Sequence, residues 1–241
     1  MHVPRHVEVL VEEQVRRWEL SRQSRKAQAA VRAEPWPVIT VSREFGSRGA
    51  ALGERIAQRL GFGFWDQELV HEVAQRTGLR ETLVASLDEH VRSRLDDLVA
   101  SIFTGPDATA AEYVRHVGRV VHTLEQHGSA VVIGRGAQFI VKPESALRVR
   151  VVCPLDERVR GYATREGLNE ADARSRVEDV ERDRRAFYRR HFDTDVADPA
   201  HYDLLVNTGS LSLEAATDVV VSAYQAKLGR LPDAARATPT A

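Results

Sequence analysis

The chain has 241 residues, with 34 Lys+Arg against 35 Asp+Glu, a net charge of −1, nine histidines and one cysteine. At 43% hydrophobic and 29% charged it has an ordinary globular composition, which excludes a disordered polyelectrolyte and a disulfide scaffold. The balanced charge supplies no general field for nucleic acid, and no apolar run approaches the roughly 20 residues of a bilayer span.

Residues 5–34 predict a helix, with Val7, Val11, Val15 and Trp18 forming one apolar face. Pro35 and Pro37 end it. That face is expected to pack on the main domain or on a second subunit, so residues 1–34 read as an N-terminal extension and a homo-oligomer would form through it. The start, MHVPRHVEVLVEEQ, lacks the apolar centre of a secretory signal, and the single Cys153 has no internal partner. A reducing cytoplasm is the expected compartment.

The main domain spans 35–229. PVITVS (37–42) is a short β-branched run suited to a buried parallel strand, and the turn EFGSRG leads into a helix from Ala50 to Leu60 closed by Gly61. FGFW is a second strand ending at Asp66. Residues 67–127 are mostly helical in pattern (Leu69, Val70, Val73, then Leu95, Leu98, Val99, Ile102), broken by TGPD at 104–107. AVVIG (130–134) and LRVRVV (147–152) predict strands, followed by a helix over 155–166 and a strongly charged one over 170–190. YDLLVN is a fifth strand and Leu213–Leu228 a closing helix; the tail 230–241 is expected to be disordered. Strands alternating with helices give an α/β fold with a parallel sheet, whose ligands sit at the strands' carboxyl ends.

Three segments there suit anions. After the first strand, Gly46, Ser47, Gly49 and Ala50 offer backbone amides at a helix N-terminus, which favours phosphate. Against the usual phosphate loop GxxxxGK[ST], Arg43 stands for the first glycine and Arg48 for the second. Gly49 falls at the lysine and Ala50 at the Ser/Thr. Next, Gly134-Arg135-Gly136 frees an arginine to grip phosphate. Last, Glu181-Arg182-Asp183-Arg184-Arg185 puts Arg182, Arg185 and Arg189 on one helix side. The histidines show no HExxH or Cys/His zinc spacing, and His116 and His122 are expected on a helix surface. GxGxxG and GxSxG are absent.

In order and spacing, VITVSREFGSRGAALGERIAQRLGFGFWDQELV, VVIGRGAQFIV, LRVRVVCPLDERV, VERDRRAFYRRHF and YDLLVNTGSLSLEAA resemble the cytidylate kinase-like family of P-loop nucleoside monophosphate kinases. The resemblance covers about residues 37–228. It implies a three-layer P-loop NTPase fold with a five-stranded parallel sheet, a helical monophosphate-binding region and a lid. It also implies phosphoryl transfer from ATP to CMP or dCMP with Mg²⁺. Carried over by position, Gly46, Ser47 and Gly49 form the phosphate loop, Asp66 borders the monophosphate site, Arg135 holds the acceptor, and Arg158 matches an arginine after the fourth strand. In the lid the family pairs an acid with an arginine three residues later. Glu181 with Arg184 fits that spacing, whereas three past Asp183 stands Ala186. True cytidylate kinases keep the loop lysine and its Ser/Thr neighbour; this branch commonly lacks both and often carries a basic residue where Ala50 stands.

The expected mechanism is positioning and charge neutralisation, not covalent help. Amides of 46–50 cradle the ATP phosphates, Arg43 or Arg48 neutralises them, Arg135 with Arg158 holds the acceptor, and the 182–189 stripe closes from above. Glu44 is the candidate metal ligand. The rival expectation, drawn from the missing Lys and Ser/Thr, is a non-catalytic nucleotide-binding regulatory protein with a degenerate loop.

Overall fold

The computed structural model describes residues 5–27, 35–87, 108–232 and 234. The expected features at Leu95, Leu98, Val99, Ile102 and TGPD, and nearly all of the tail, lie outside the described residues.

Five parallel strands form one sheet: β1 (Val38–Arg43), β2 (Gly63–Trp65), β3 (Ala130–Ile133), β4 (Ala146–Val152) and β5 (Leu204–Asn207). Their spatial order is β2-β3-β1-β4-β5. The chain leaves β1 toward β2 and leaves β4 toward β5. The two connections diverge, and the switch point, where open α/β sheets bind ligands, lies beyond the carboxyl ends of β1 and β4.

The helices follow the sequence pattern closely. They are α1 (Arg5–Ala27), α2 (Gly49–Leu60), α3 (Gln67–Gln75), α4 (Thr77–Ala85), α5 (Ala108–His127), α6 (Ala137–Ile140), α7 (Leu155–Glu166), α8 (Glu170–Phe192) and α9 (Leu213–Leu228). Only the four-residue α6 and two 3₁₀ turns at 143–145 and 199–201 lie below the length at which periodicity can be read. On one face of the sheet Ile39, Val41, Ile133 and Val149 bury against Leu52 and Ile56 of α2 and Tyr224 of α9. On the other, Trp65 and Val132 meet Val70 and Val73 of α3 and Val121 and Leu124 of α5. Among the described residues no helix is long and apolar enough to cross a membrane.

Helix α1 belongs to that second core. Val11 and Trp18 are fully or almost fully buried in it, with Val7 and Val15 packed alongside. The Trp18 ring stacks on His127 at 4.0 Å between centroids and on Trp65 at 6.0 Å. Glycine at position 63 lets the edge strand β2 approach α1, because a Cβ there would lie 2.7 Å from the Gln14 Oε1. The stripe that the sequence offers to a second subunit is therefore covered within the chain.

His122 corrects the surface expectation. It is 2% exposed, because α5 turns this residue toward the 142–145 turn, not toward solvent. Its Nδ1 lies 2.9 Å from the Glu125 Oε2, and Glu125 also accepts from the Lys142 N–H at 2.8 Å and from the Ser145 hydroxyl. Burial pushes the Glu125 carboxyl up, but the hydrogen bonds from His122, Ser145 and Lys142 outweigh it and hold the group below its ordinary value of 4.5. A carboxyl lowered by folding stabilises the protein above its unfolded pKa, and that contribution is lost as pH falls through the folded value.

Two outcomes are expected. Trp18→Ala should cost about 3–5 kcal/mol in urea unfolding; a loss under 1 kcal/mol would mean that α1 is not part of the cooperative core. In the same assay, acidification below the ordinary glutamate range should destabilise the wild type more steeply than Glu125→Gln.

Candidate functional site

The loop between β1 and α2 uses the amides of Glu44, Phe45 and Ser47 to hold its own shape, the Ser47 N–H donating to the Glu44 carbonyl at 3.3 Å. The Glu44 N–H donates to the Val151 carbonyl at 3.0 Å, which ties the loop to β4. Gly46 then turns with φ +83°, its bare Cα facing the Arg158 Cβ. Ser47 is fully buried. Its hydroxyl donates to the Glu44 carbonyl at 2.8 Å, and its own carbonyl accepts from the Thr208 hydroxyl at 2.7 Å. Ser47 therefore braces the loop from inside. Arg48, at the N-cap of α2, is left-handed with φ 59° and caps nothing with its side chain. The first-turn amides of Gly49 and Ala50 have no intrahelical acceptor, and the positive end of α2 points outward.

The two loop arginines diverge. Arg48 reaches past the end of β4 and donates to the Thr208 carbonyl after β5. Arg43 goes the opposite way, across the end of β3, and donates to the Gln67 side-chain carbonyl at the start of α3. Arg135 arrives at the same residue from the GRG turn, its Nε donating to the Gln67 backbone carbonyl at 3.2 Å. Asp66 stands next to them as the N-cap of α3, accepting from the Leu69 N–H at 2.7 Å.

Above the loop, α7 and α8 form the hairpin expected as a lid. The Glu181 carboxylate accepts the Phe45 N–H, and Arg184 pairs with Glu181 at 3.4 Å. Arg184 also donates to the Arg43 carbonyl at 3.2 Å and lies over the Phe45 ring. These contacts realise the Glu181–Arg184 spacing. Asp183 is exposed and lies off the cleft. Arg158 is buried at the root of the hairpin, donating to the Cys153 carbonyl at 2.8 Å and the Phe45 carbonyl at 3.2 Å. An open cleft of about 430 Å³ runs beside it, lined by Leu155, Arg158, Glu181, Arg182, Arg185 and Arg189. The predicted i, i+3, i+7 stripe thus faces one cleft next to the phosphate loop.

Positive charge exceeds negative here. Among the described residues no carboxylate forms an ion pair with Arg43, Arg135 or Arg150. Burial, with Arg184 close by, lowers the Arg43 guanidinium to about 10. Burial lowers Arg184 as well. Such a cluster is at its most stable with an anion inside it.

The Mg²⁺ implied by the resemblance does not find a matching donor set. The Glu44 Oε2 accepts the Cys153 N–H at 2.9 Å and sits 3.5 Å from the Arg158 Nε, so its charge is already compensated. Ala50 supplies no hydroxyl. Among the described residues no three His, Cys, Asp or Glu side chains gather as a metal site.

Several site residues escaped the sequence reading. Arg150 is 5% exposed beneath the lid, donating to the Ser42 hydroxyl at 2.7 Å and lying over the Tyr202 ring. Its alternation with Val149 and Val151 reads as a solvent-facing position; the lid covers that face. Gln67 gave no signal, being an ordinary first-turn residue. His71 and Tyr113, 2.9 Å apart, flank the Arg135 side. Burial and then Arg135 lower the His71 pKa.

Residues 38–210 match the model of the cytidylate kinase-like family. The chain belongs to that family. It is 27% identical to a cytidylate kinase of Pyrococcus horikoshii over 77% of this chain and 87% of that protein. It is 23% identical to a cytidylate kinase of Methanopyrus kandleri, over 80% and 95%. A crystal structure of a protein from Eubacterium ventriosum, 20% identical, superposes with a TM-score of 0.62 over 79% of this chain and 98% of that one, which supports the fold alone. The family's P-loop architecture agrees with the five-stranded parallel sheet. The matched span excludes α1, which packs beside β2.

One coupling follows from the loop geometry. A Cβ on Gly49 would lie 2.5 Å from the Arg43 Cβ and 3.0 Å from its Cγ. Gly49→Ala should therefore destabilise by about 1–3 kcal/mol. In an Arg43→Gly background the same substitution should cost much less, a non-additivity readable in a double-mutant cycle of urea unfolding. Equal costs in both backgrounds would mean that the two positions do not compete for space.

Proposed function

We propose that this protein is a nucleoside monophosphate kinase-like phosphotransferase that moves the γ-phosphoryl of ATP to CMP, dCMP or a related monophosphate. The observation that carries the reading is the convergence of Arg158, Arg182, Arg185 and Arg189 on one cleft, whose Glu181 and Arg158 hold the Phe45 backbone of the loop that enters α2. Phosphoryl transfer needs in-line positioning and neutralisation of the equatorial oxygens, and this arrangement supplies both. The amides of 46–50 hold the donor phosphates, and the lid arginines neutralise charge that develops on the transferring group. The α3 side, with Arg135 at its mouth, receives the acceptor.

A second reading has its own observation. The loop has neither lysine nor the hydroxyl after it, and Glu181 already takes the Phe45 amide that faces the lid. That arrangement suits a nucleotide-binding regulatory protein in which binding moves the lid without turnover.

Steady-state assays with ATP, MgCl₂ and each nucleoside monophosphate separate the two. Diphosphate product is expected with a cytidine acceptor, and Arg185→Ala and Arg189→Ala should each lower kcat by about 10- to 100-fold. Calorimetric nucleotide binding with no product from any acceptor would discard the kinase and leave the regulator.

A further inference from the structure

Of the four positions at which the loop departs from the usual pattern, two adjoin each other. Where GxxxxGK[ST] has its first glycine this chain has Arg43, and where it has lysine this chain has Gly49. The space is exclusive. With Arg43 present, any side chain at 49 would start 2.5 Å from the Arg43 Cβ, so a lysine cannot stand there without displacing the strand end. The positive charge has moved from the first turn of α2 to the end of β1.

The move also redirects it. A lysine on α2 would point over the amide cradle toward the donor. Arg43 instead passes close over Gly134, where a Cβ would sit 2.2 Å from its Nη1. It ends on Gln67, the residue that Arg135 also holds. Two guanidiniums from the ends of β1 and β3 are thus brought to the N-terminus of α3. Both are held by neutral carbonyl oxygens of a single glutamine, and neither has a carboxylate partner among the described residues. Two planar donors without a paired carboxylate, with Glu181 acting on Arg43 only through space, match a phosphate monoester dianion, which can accept from both forks at once.

We infer that Arg43 and Gly49 are a reciprocal exchange that takes the loop's positive charge from the donor and gives it to the acceptor, so that Arg43 and Arg135 together bind the acceptor's phosphate monoester. Gln67 is then a positioning residue, holding both guanidiniums in place when no anion is bound. The inference rests on the phosphotransferase reading and adds the assignment of Arg43 to one of its two substrates.

Calorimetry on the full chain tests it, with CMP, cytidine, inorganic phosphate and ATP as probes. Arg43→Gln should weaken CMP and inorganic phosphate by about 10- to 100-fold while ATP changes less than about threefold. Cytidine, which lacks the phosphate, should bind the variant and the wild type alike. Arg43→Lys keeps the charge without the fork and should fall between the two; it carries the test if Arg43→Gln does not fold. An ATP affinity that falls as far as that of CMP, or a CMP affinity that does not move, would overturn the assignment while leaving the kinase reading standing. A wild type that binds neither CMP nor phosphate would end both.

Discussion

The site is organised by one side chain threaded between two glycines. Arg43 leaves β1 where Gly49 gives room to its Cβ and crosses to α3 where Gly134 gives room to its guanidinium. Neither glycine is required by the sheet itself. Gly49 follows from placing a long cation at the end of a central parallel strand, whose neighbours on each side are only a strand spacing away, while Gly134 is also fixed by its left-handed backbone at φ +71°. Once Arg43 takes this path, the start of α2 has no lysine, the GRG turn must lie low against β1, and Gln67 becomes the meeting point of two loops. The left-handed run Gly134-Arg135-Gly136 is the local form of that constraint, since it folds the turn tightly enough to return Arg135 to the same place.

Gathering arginines at the strand ends has an electrostatic cost, and the lid absorbs it. Arg43 and Arg184 are both desolvated; Arg184 lowers the affinity of Arg43 for its proton, and Arg150 lowers that of Arg184. Glu181 is the counter-charge available. It pairs with Arg184 and takes the Phe45 amide, so one carboxylate joins lid and loop. The aromatic packing of Phe139 against Tyr188 and Phe192 fixes the far half of α8 to α6. The near half is held to α7 by the small cluster of Val159, Ala163, Ala173 and Val177 and by the exposed Arg174–Asp156 ion pair.

Most of the architecture was readable because it obeys short-range rules. Five strands and the helices after them announce themselves by β-branched runs, apolar spacing and glycine stops, and Gly61 closes α2 in the left-handed geometry expected of it. The stripe of Arg182, Arg185 and Arg189 was also legible, since helical spacing alone puts these residues on one side. What could not be read were contacts between elements far apart in sequence. Arg150 alternates with valines like any outward strand residue until the lid is placed over it. His122 looks like a polar helix position until Glu125 and the 142–145 turn close around it. The direction of Arg43 is another such case. The sequence offers Arg43 and Arg48 as equivalent charges, and only the strand order sends one toward β3 and the other toward β5.

The scarcity of lysine fits this geometry. With three lysines among 34 basic residues, all of them outside the loop, the cationic and donor groups there are guanidiniums and amides. A guanidinium is less strongly hydrated than an ammonium and keeps its charge when buried, since even a large downward shift leaves Arg43 at about 10. A lysine desolvated to the same degree would start from a lower value and approach the neutral range. Its donors also lie in a plane, so it can rest flat on a bare glycine and still hold a carbonyl at its edge. A tetrahedral ammonium on a flexible stem does neither. The buried, glycine-flanked path beside Gly134 is therefore a place where arginine works and lysine would not.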